Sequence, residues 1–253
     1  MSPEHRTEAL GRAAAQYTER VQQLLAEALD AEQDRVAEAA ALLAERFTAD
    51  GILYVFGSGH SHVFAEEGFF RAGGSARICP VLQPDHMLHV SAQRSTVLER
   101  ESGHAANVLA GYEMDPETDT MLVVSNSGAN ALPVEVAQAA RDMGLPVIAI
   151  TSRAYATAST QTGPKLHEVA DIVLDNHCPP GDALVSIDED LPLAGPGSSV
   201  VGLALLNAMI VATAEKETER GGTPRVFLSA GMPDAAEHNA RIIAEMGPRV
   251  PHI

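Results

Sequence analysis

Apolar residues along this chain follow two different spacings. From about Pro3 to Leu29, Leu10, Ala14, Tyr17, Val21, Leu24, Leu25 and Leu29 fall on one stripe, and from Ala31 to Phe47 Val36, Ala40, Leu43 and Phe47 do the same. That spacing draws an apolar line along a helix, and the Ala, Glu, Gln and Arg between these positions are good helix formers. Beyond residue 50 the pattern becomes short continuous apolar runs at 52–56, 119–125, 146–151 and 170–175, with a shorter one near 77–80. Runs of this length without polar alternation fit strands buried on both faces. Helical patterns predict helices at 61–71, 104–112, 131–143, 163–169, 198–220 and 235–246, and 225–229 reads as a last strand. Gly144-Leu145-Pro146 ends one helix and starts the next strand. Residues 81–101 read as irregular, and 179–197 as a loop rich in Gly and Pro. Alternating strands and helices predict an α/β fold, a three-layer α/β/α sandwich on a mostly parallel sheet. No repeat, low-complexity tract or interdomain linker interrupts it.

Three of the strand patterns end in small polar residues: Gly57-Ser58-Gly59-His60-Ser61, Ser125-Asn126-Ser127-Gly128, and Thr151-Ser152. The second runs into a helix from about Asn130. A strand passing through Ser and Gly into a helix N-terminus exposes backbone N–H groups where the helix dipole favours negative charge. In a parallel α/β sheet these carboxyl ends line the ligand crevice. A phosphate-bearing ligand is therefore expected, although each loop alone is equally ordinary turn chemistry. There is no G-x-x-x-x-G-K-[ST], and His62 stands where a G-x-G-x-x-G would end, so no nucleotide or dinucleotide site is expected.

The 253 residues suffice for one large domain, and a formal net charge of −17 argues against nucleic acid as a partner. It also requires that an anionic ligand be held by local donors against an unfavourable field. Cys79 and Cys178 form no C-x-x-C, so neither a disulfide scaffold nor a zinc site is indicated, and a reducing cytoplasm fits. The polar start MSPEHRTEALGRAAAQYTER is no secretory signal, and no apolar stretch is expected to reach membrane-spanning length.

GSGHS at 57–61, AEEGFFRAGG at 65–74, SNSGAN at 125–130 and ITS at 150–152, with VADIVLDN, GDALV and SAGMPDAAEHN later, resemble the sugar isomerase (SIS) domain. Within it they look most like the single-domain phosphosugar isomerase branch, related to sedoheptulose 7-phosphate isomerase. The resemblance covers roughly residues 30–245. It implies a five-stranded doubly wound parallel sheet and a homodimer or tetramer. The apolar stripes of the two N-terminal helices fit packing on a partner subunit and, equally, packing on their own domain, and the chain divides into a helical oligomerisation segment at 1–48 and an SIS domain at 49–253. The resemblance places the phosphate on Ser58, Ser61, Ser125, Asn126, Ser127 and Asn130, with Ser152 and Ser199 as further substrate contacts. In the heptose isomerases the helix after the first loop carries A-E-E-L-x-x-R, whose second Glu is the base. Here Glu67 takes that position and Arg71 is its partner.

One departure matters. The late helix SSVVGLALLNAMIVATAEKE lacks the His that the heptose isomerases carry there, and Asn207 is its most notable polar residue. His60, His62, His86, His89 and Glu99 are the candidates for the second acid–base group, and a histidine supplied in trans by a partner subunit is a further route. Aldose–ketose isomerisation needs a base near neutral pKa and a group to shuttle a proton between oxygens. A Glu in a partly apolar setting can meet the first need, and Phe64, Phe69 and Phe70 could surround Glu67. Against this, Glu66 and Glu67 fit a solvated helix face, Glu67 and Arg71 an ordinary i,i+4 pair, and Glu99-Arg100 a structural ion pair. His238 is a weaker candidate. The histidine spacing fits no standard metal pattern, and neither metal nor cofactor is expected. The expected function is a phosphosugar aldose–ketose isomerase. A phosphosugar-binding module without turnover and a phosphosugar lyase are the alternatives.

Overall fold

A computed structural model describes residues 11–253. The expected helix start at Pro3, and Leu10 with it, lies outside the described residues. Five strands, β1 (Leu53–Gly57), β2 (Ile78–Val81), β3 (Thr120–Val124), β4 (Val147–Thr151) and β5 (Ile172–Asp175), pair in parallel throughout, in the order β2-β1-β3-β4-β5. All five are buried along their length. Successive side chains point to opposite faces. Tyr54, Phe56, Met121, Val123 and Ala149 enter one core, while Leu53, Val55, Leu122, Ile148 and Ile150 enter the other. Two buried faces are why these runs show no polar alternation.

The helices are α1 (Arg12–Ala31), α2 (Gln33–Thr48), α3 (Val63–Gly68), α4 (Leu88–Leu98), α5 (Ala105–Leu109), α6 (Ala131–Asp142), α7 (Arg153–Ala158), α8 (Leu166–Val169), α9 (Ser198–Glu219) and α10 (Ala235–Met246). α2, α3 and α9 cover one face with Leu43, Phe47, Phe64, Val201, Leu205 and Met209. α5, α6, α8 and α10 cover the other with Val108, Leu132, Val136, Leu166 and Ile242. The α2 stripe is thus buried against α9 and its own sheet, without a partner. α1 is more open, with Ala15 and Ala28 buried and Leu24, Leu25 and Leu29 half-buried.

Several elements differ from the sequence expectation. α9 is long and apolar enough, by length and composition, to cross a membrane, with mean hydropathy 1.5. Its inner face, with Val201, Leu205, Leu206 and Met209, packs into the core with α2 and the sheet, while Val200 and Val211 are exposed. The stretch 225–229 is no strand: Val226 makes an isolated antiparallel bridge to Ser75, with Gly73 N–H donating to Phe227 O (2.8 Å) and Ala76 N–H to Arg225 O (2.7 Å). The region read as irregular contains α4, kinked where Ser91 leaves helical geometry. The Gly- and Pro-rich loop contains an antiparallel hairpin, β6 (Ala183–Val185) and β7 (Ala194–Pro196), and α7 follows β4 directly.

Candidate active site

In a sheet of this order the winding direction reverses between β1 and β3. The two connections leave to opposite faces there, and their carboxyl ends open a crevice. The loops at that point are 57–61 and 125–130, and a cavity of about 610 Å³ lies between them. That volume is in the range of small-molecule sites.

Both loops depend on glycine for close approach. A Cβ at Gly57 would sit 2.3 Å from Ser61 O, and one at Gly128 would sit 2.5 Å from Thr151 Oγ1, where φ is also +56°. Only Gly occupies such a site without strain. The second loop is tied down from beneath. Gly128 N–H donates to Ser125 Oγ (3.2 Å), Ser152 N–H to Asn126 O (3.1 Å), and Asn176 Nδ2 to Asn126 Oδ1 (2.9 Å). Asn130 holds the N-cap position of α6 but makes no capping bond. Of the first backbone positions of α6, Leu132 donates its N–H to Glu99 O (3.1 Å) and Pro133 carries no N–H, so the helix N-terminus is largely committed and the loop side chains face the cavity.

Glu99 enters this cradle from the end of α4. Ser58 Oγ donates to its Oε2 (3.2 Å), and Asn130 Nδ2 (3.0 Å) and Arg100 Nη1 (2.9 Å) donate to its Oε1. Burial pushes the Glu99 carboxyl above the ordinary carboxylate range, with the Arg100 charge and the Ser58 hydrogen bond pulling partly back. A half-buried carboxyl with a raised pKa inside a ligand-sized cavity is suited to proton transfer near neutrality.

Of the residues expected in the site, Ser58, His60, Ser61, Glu99, Ser125, Asn126, Ser127, Asn130 and Ser199 line the cavity together. Glu67, Arg71, His86 and Ser152 are not among its lining residues. Glu67 pairs with Arg71, and Asn207 Nδ2 lies 3.5 Å from its Oε1 on α9. Phe69 and Phe70 pack toward His252 and Phe227. His86 is buried at a separate cavity of about 400 Å³, where burial and His104 lower its pKa. Ser152 is buried, accepting from Tyr155 N–H (3.0 Å) and donating to Cys178 O (2.6 Å), and so caps α7. His62 bonds to Gly59 O and packs on His89, and His238 bonds to Val226 O (2.8 Å). Both cysteines are buried, with thiols pushed up to about 12 by burial.

The cavity also brings in residues the sequence reading did not single out for it: Arg100, Tyr155, Thr160, Gln161, Asn176, Asp182 and Ser198. Asn176 had a visible signal, because it ends the strand pattern of VADIVLDN. Asp182 had none. Its backbone is left-handed (φ 67°), and its carboxylate accepts from Gly197 N–H (3.1 Å), Ser198 N–H (2.8 Å) and Ser198 Oγ (2.6 Å), closing the N-terminus of α9.

The SIS-domain family profile matches residues 16–152, just over half of the chain. The chain belongs to the SIS-domain family. Among curated relatives, the UPF0309 protein of Listeria innocua is 40% identical over 232 residues, covering 90% of this chain and 93% of that protein. The UPF0309 protein of Geobacillus kaustophilus is 38% identical over 240 residues, covering 93% and 95%. Among solved structures, a phosphoheptose isomerase from Francisella tularensis aligns with TM-score 0.53 at 17% identity, covering 85% of this chain and all of that one. That structural likeness supports the SIS fold.

Ser127 is the loop hydroxyl with no hydrogen bond to any described residue, so it stands ready for a ligand. Ser127→Ala is expected to weaken sugar phosphate binding by about 1.5–3 kcal/mol, the range for a hydrogen bond to a charged group. Calorimetric titration checks this. An equal loss for the unphosphorylated sugar would make the loop structural and move the phosphate elsewhere.

Proposed function

We propose that this SIS protein binds a sugar phosphate with its phosphate on the 125–130 loop, and interconverts its aldose and ketose forms. The observation that carries the reading is Glu99, a half-buried carboxyl of raised pKa hydrogen-bonded to Ser58 and Asn130 inside that cradle. In the open-chain sugar, the carboxylate takes the proton from C2, the enediol forms, and the proton returns to C1 as the hydroxyl proton passes from O2 to O1. Ser61 and His60 line the same cavity and supply polar groups along the sugar. Within one subunit, Glu99 meets the ligand more directly than Glu67 does. Incubation with C5–C7 sugar phosphates in deuterated water is expected to exchange the C2 proton of at least one of them, as read by NMR. No exchange with any member overturns the isomerase reading.

A second reading keeps the ligand and removes the turnover. Asn207 stands beside Glu67 in place of an imidazole, which favours a binding module. A sugar phosphate that raises the melting temperature without exchange or elimination supports it, and elimination products in the same panel support a lyase.

Glu67 enters the chemistry only if a second subunit brings its cradle alongside. Val200 (44% exposed) and Val211 (67% exposed) flank Asn207 on the outer face of α9 at helical spacing. We assign this face to a homodimer, and light scattering is expected to give twice the 26.6 kDa chain mass. A monomer at micromolar concentration removes the dimer and any role of Glu67 in a shared site.

A further inference from the structure

We infer that Asn176 is a positioning residue: through a directional chain of hydrogen bonds it turns the amide N–H groups of Asn126 toward the ligand. The inference rests on the sugar phosphate reading above and names the residue that sets the polarity of its binding loop. An Asn side chain has a carbonyl end and an NH2 end of nearly equal shape, so its partners decide which end meets a ligand. Turned one way, Asn126 offers donors to a phosphate. Turned the other way, it offers an acceptor oxygen that repels one.

The chain of bonds starts at a group that cannot turn over. Cys178 N–H is a backbone donor, and it donates to Asn176 Oδ1 (3.0 Å). That commits the oxygen end of Asn176 and leaves its Nδ2 for Asn126, whose Oδ1 accepts it at 2.9 Å. Both ends of the Asn176 amide are thereby used, on a side chain only 2% exposed. Turning that amide over would face a buried N–H with another N–H and leave both donors unpaired, which is costly away from water. Backbone bonds hold the two residues in place. Asn176 N–H donates to Thr151 O (3.0 Å), and Ser152 N–H to Asn126 O (3.1 Å). Ser152 Oγ donates to Cys178 O (2.6 Å) and so anchors the residue where the chain of bonds begins. With its oxygen held, Asn126 lines the cavity with an Nδ2 that has no partner among the described residues. Asn176 follows β5, so a strand two places away in the sheet sets the polarity of the β3 loop.

The experiment is a double-variant cycle on the full-length protein, read by isothermal titration at neutral pH. The probes are ribose 5-phosphate, fructose 6-phosphate and sedoheptulose 7-phosphate. Asn176→Asp keeps the acceptor for Cys178 N–H but puts an acceptor where Asn126 met a donor, so Asn126 turns over and shows its oxygen to the phosphate. This change is expected to weaken the tightest of the three ligands by about tenfold or more. In an Asn126→Ala background the same change is expected to cost less than about threefold, because the amide through which it acts is gone. Losses that agree within about threefold overturn the inference, since a new charge or a shifted backbone acts with or without the amide. Asn126→Ala without any loss of affinity overturns it as well. Both results leave sugar phosphate binding standing, whereas no binding by the wild type removes the proposed function and the inference together. Should Asn176→Asp fail to fold, side-chain amide exchange in the 15N-asparagine-labelled wild type decides. The Asn176 NH2 is expected to exchange slowly throughout, and the Asn126 NH2 rapidly until a sugar phosphate is added. An Asn126 NH2 protected before any ligand arrives would mean that it faces Asn176, and the inference would be wrong.

Discussion

Glu99→Gln is expected to lower turnover by about 10²–10⁴-fold, the usual contribution of a positioned general acid–base group. The variant keeps the side-chain shape and an oxygen acceptor toward Ser58 or Asn130, so the cradle and sugar phosphate affinity are expected to persist. The pH profile gives a second reading. Burial holds the Glu99 carboxyl above the ordinary carboxylate range, so the acidic limb of kcat/KM should lie above that range in the wild type and vanish in the variant. Stability moves the other way. A carboxyl whose folded-state pKa is raised makes its full contribution below the ordinary carboxylate value and loses it as pH rises through the folded value. At neutral pH the ionised Glu99 is therefore unfavourable, and the Gln variant should melt no lower than the wild type there, with the advantage fading in acid. Glu67→Gln is the control. If it abolishes turnover while Glu99→Gln retains most of it, the base belongs to α3, and Glu99 only shapes the cradle.

What the sequence revealed of this site follows from how local each interaction is. The β1 and β3 loops were readable because a strand, a Ser–Gly turn and a helix start are consecutive, and the sheet order then places the two loops side by side. Ser58, Ser61, Ser125, Asn126, Ser127 and Asn130 arrive in one cavity for that reason. The helix presenting Glu99 was hidden, because α4 is kinked at Ser91 and its sequence, LHVSAQRSTVL, carries almost no amphipathic period. Asp182 was hidden because its partners, Gly197 and Ser198, lie 15 and 16 residues on, across the β6–β7 hairpin. The misread strand at 225–229 shows the reverse error. Phe227 is buried as a strand residue would be, but its backbone pairs only with the short Gly73–Ala76 segment and never joins the sheet. An apolar run reports burial, and it does not report which backbone is available to pair.

Arg249→Ala is expected to destabilise the protein by about 3–5 kcal/mol, the cost of removing one partner from a buried ion pair. Asp119 is fully buried at the amino end of β3, and its carboxylate accepts from Ile52 N–H (2.8 Å), Asp115 N–H (2.8 Å) and Arg249 Nη2 (2.8 and 3.0 Å). Burial, and after it the same charge, pushes the nearby Tyr54 phenol upward. Two backbone donors remain when the guanidinium is removed, and Arg249 itself is partly exposed, so water can reach part of the space it leaves. Both features place the expected loss at the lower end of that range. A whole-domain stability of about 5–15 kcal/mol makes even this loss a large fraction, and urea unfolding at neutral pH would show it as a reduced midpoint. A loss below about 1 kcal/mol would mean that water replaces the guanidinium and that Asp119 is held by its backbone donors alone. Since Asp119 lies at the opposite end of the strands from the cavity, sugar phosphate affinity measured well below the unfolding transition should be unchanged. A parallel loss of affinity would instead show that the Arg249 anchor and the β3 loop are coupled through the sheet.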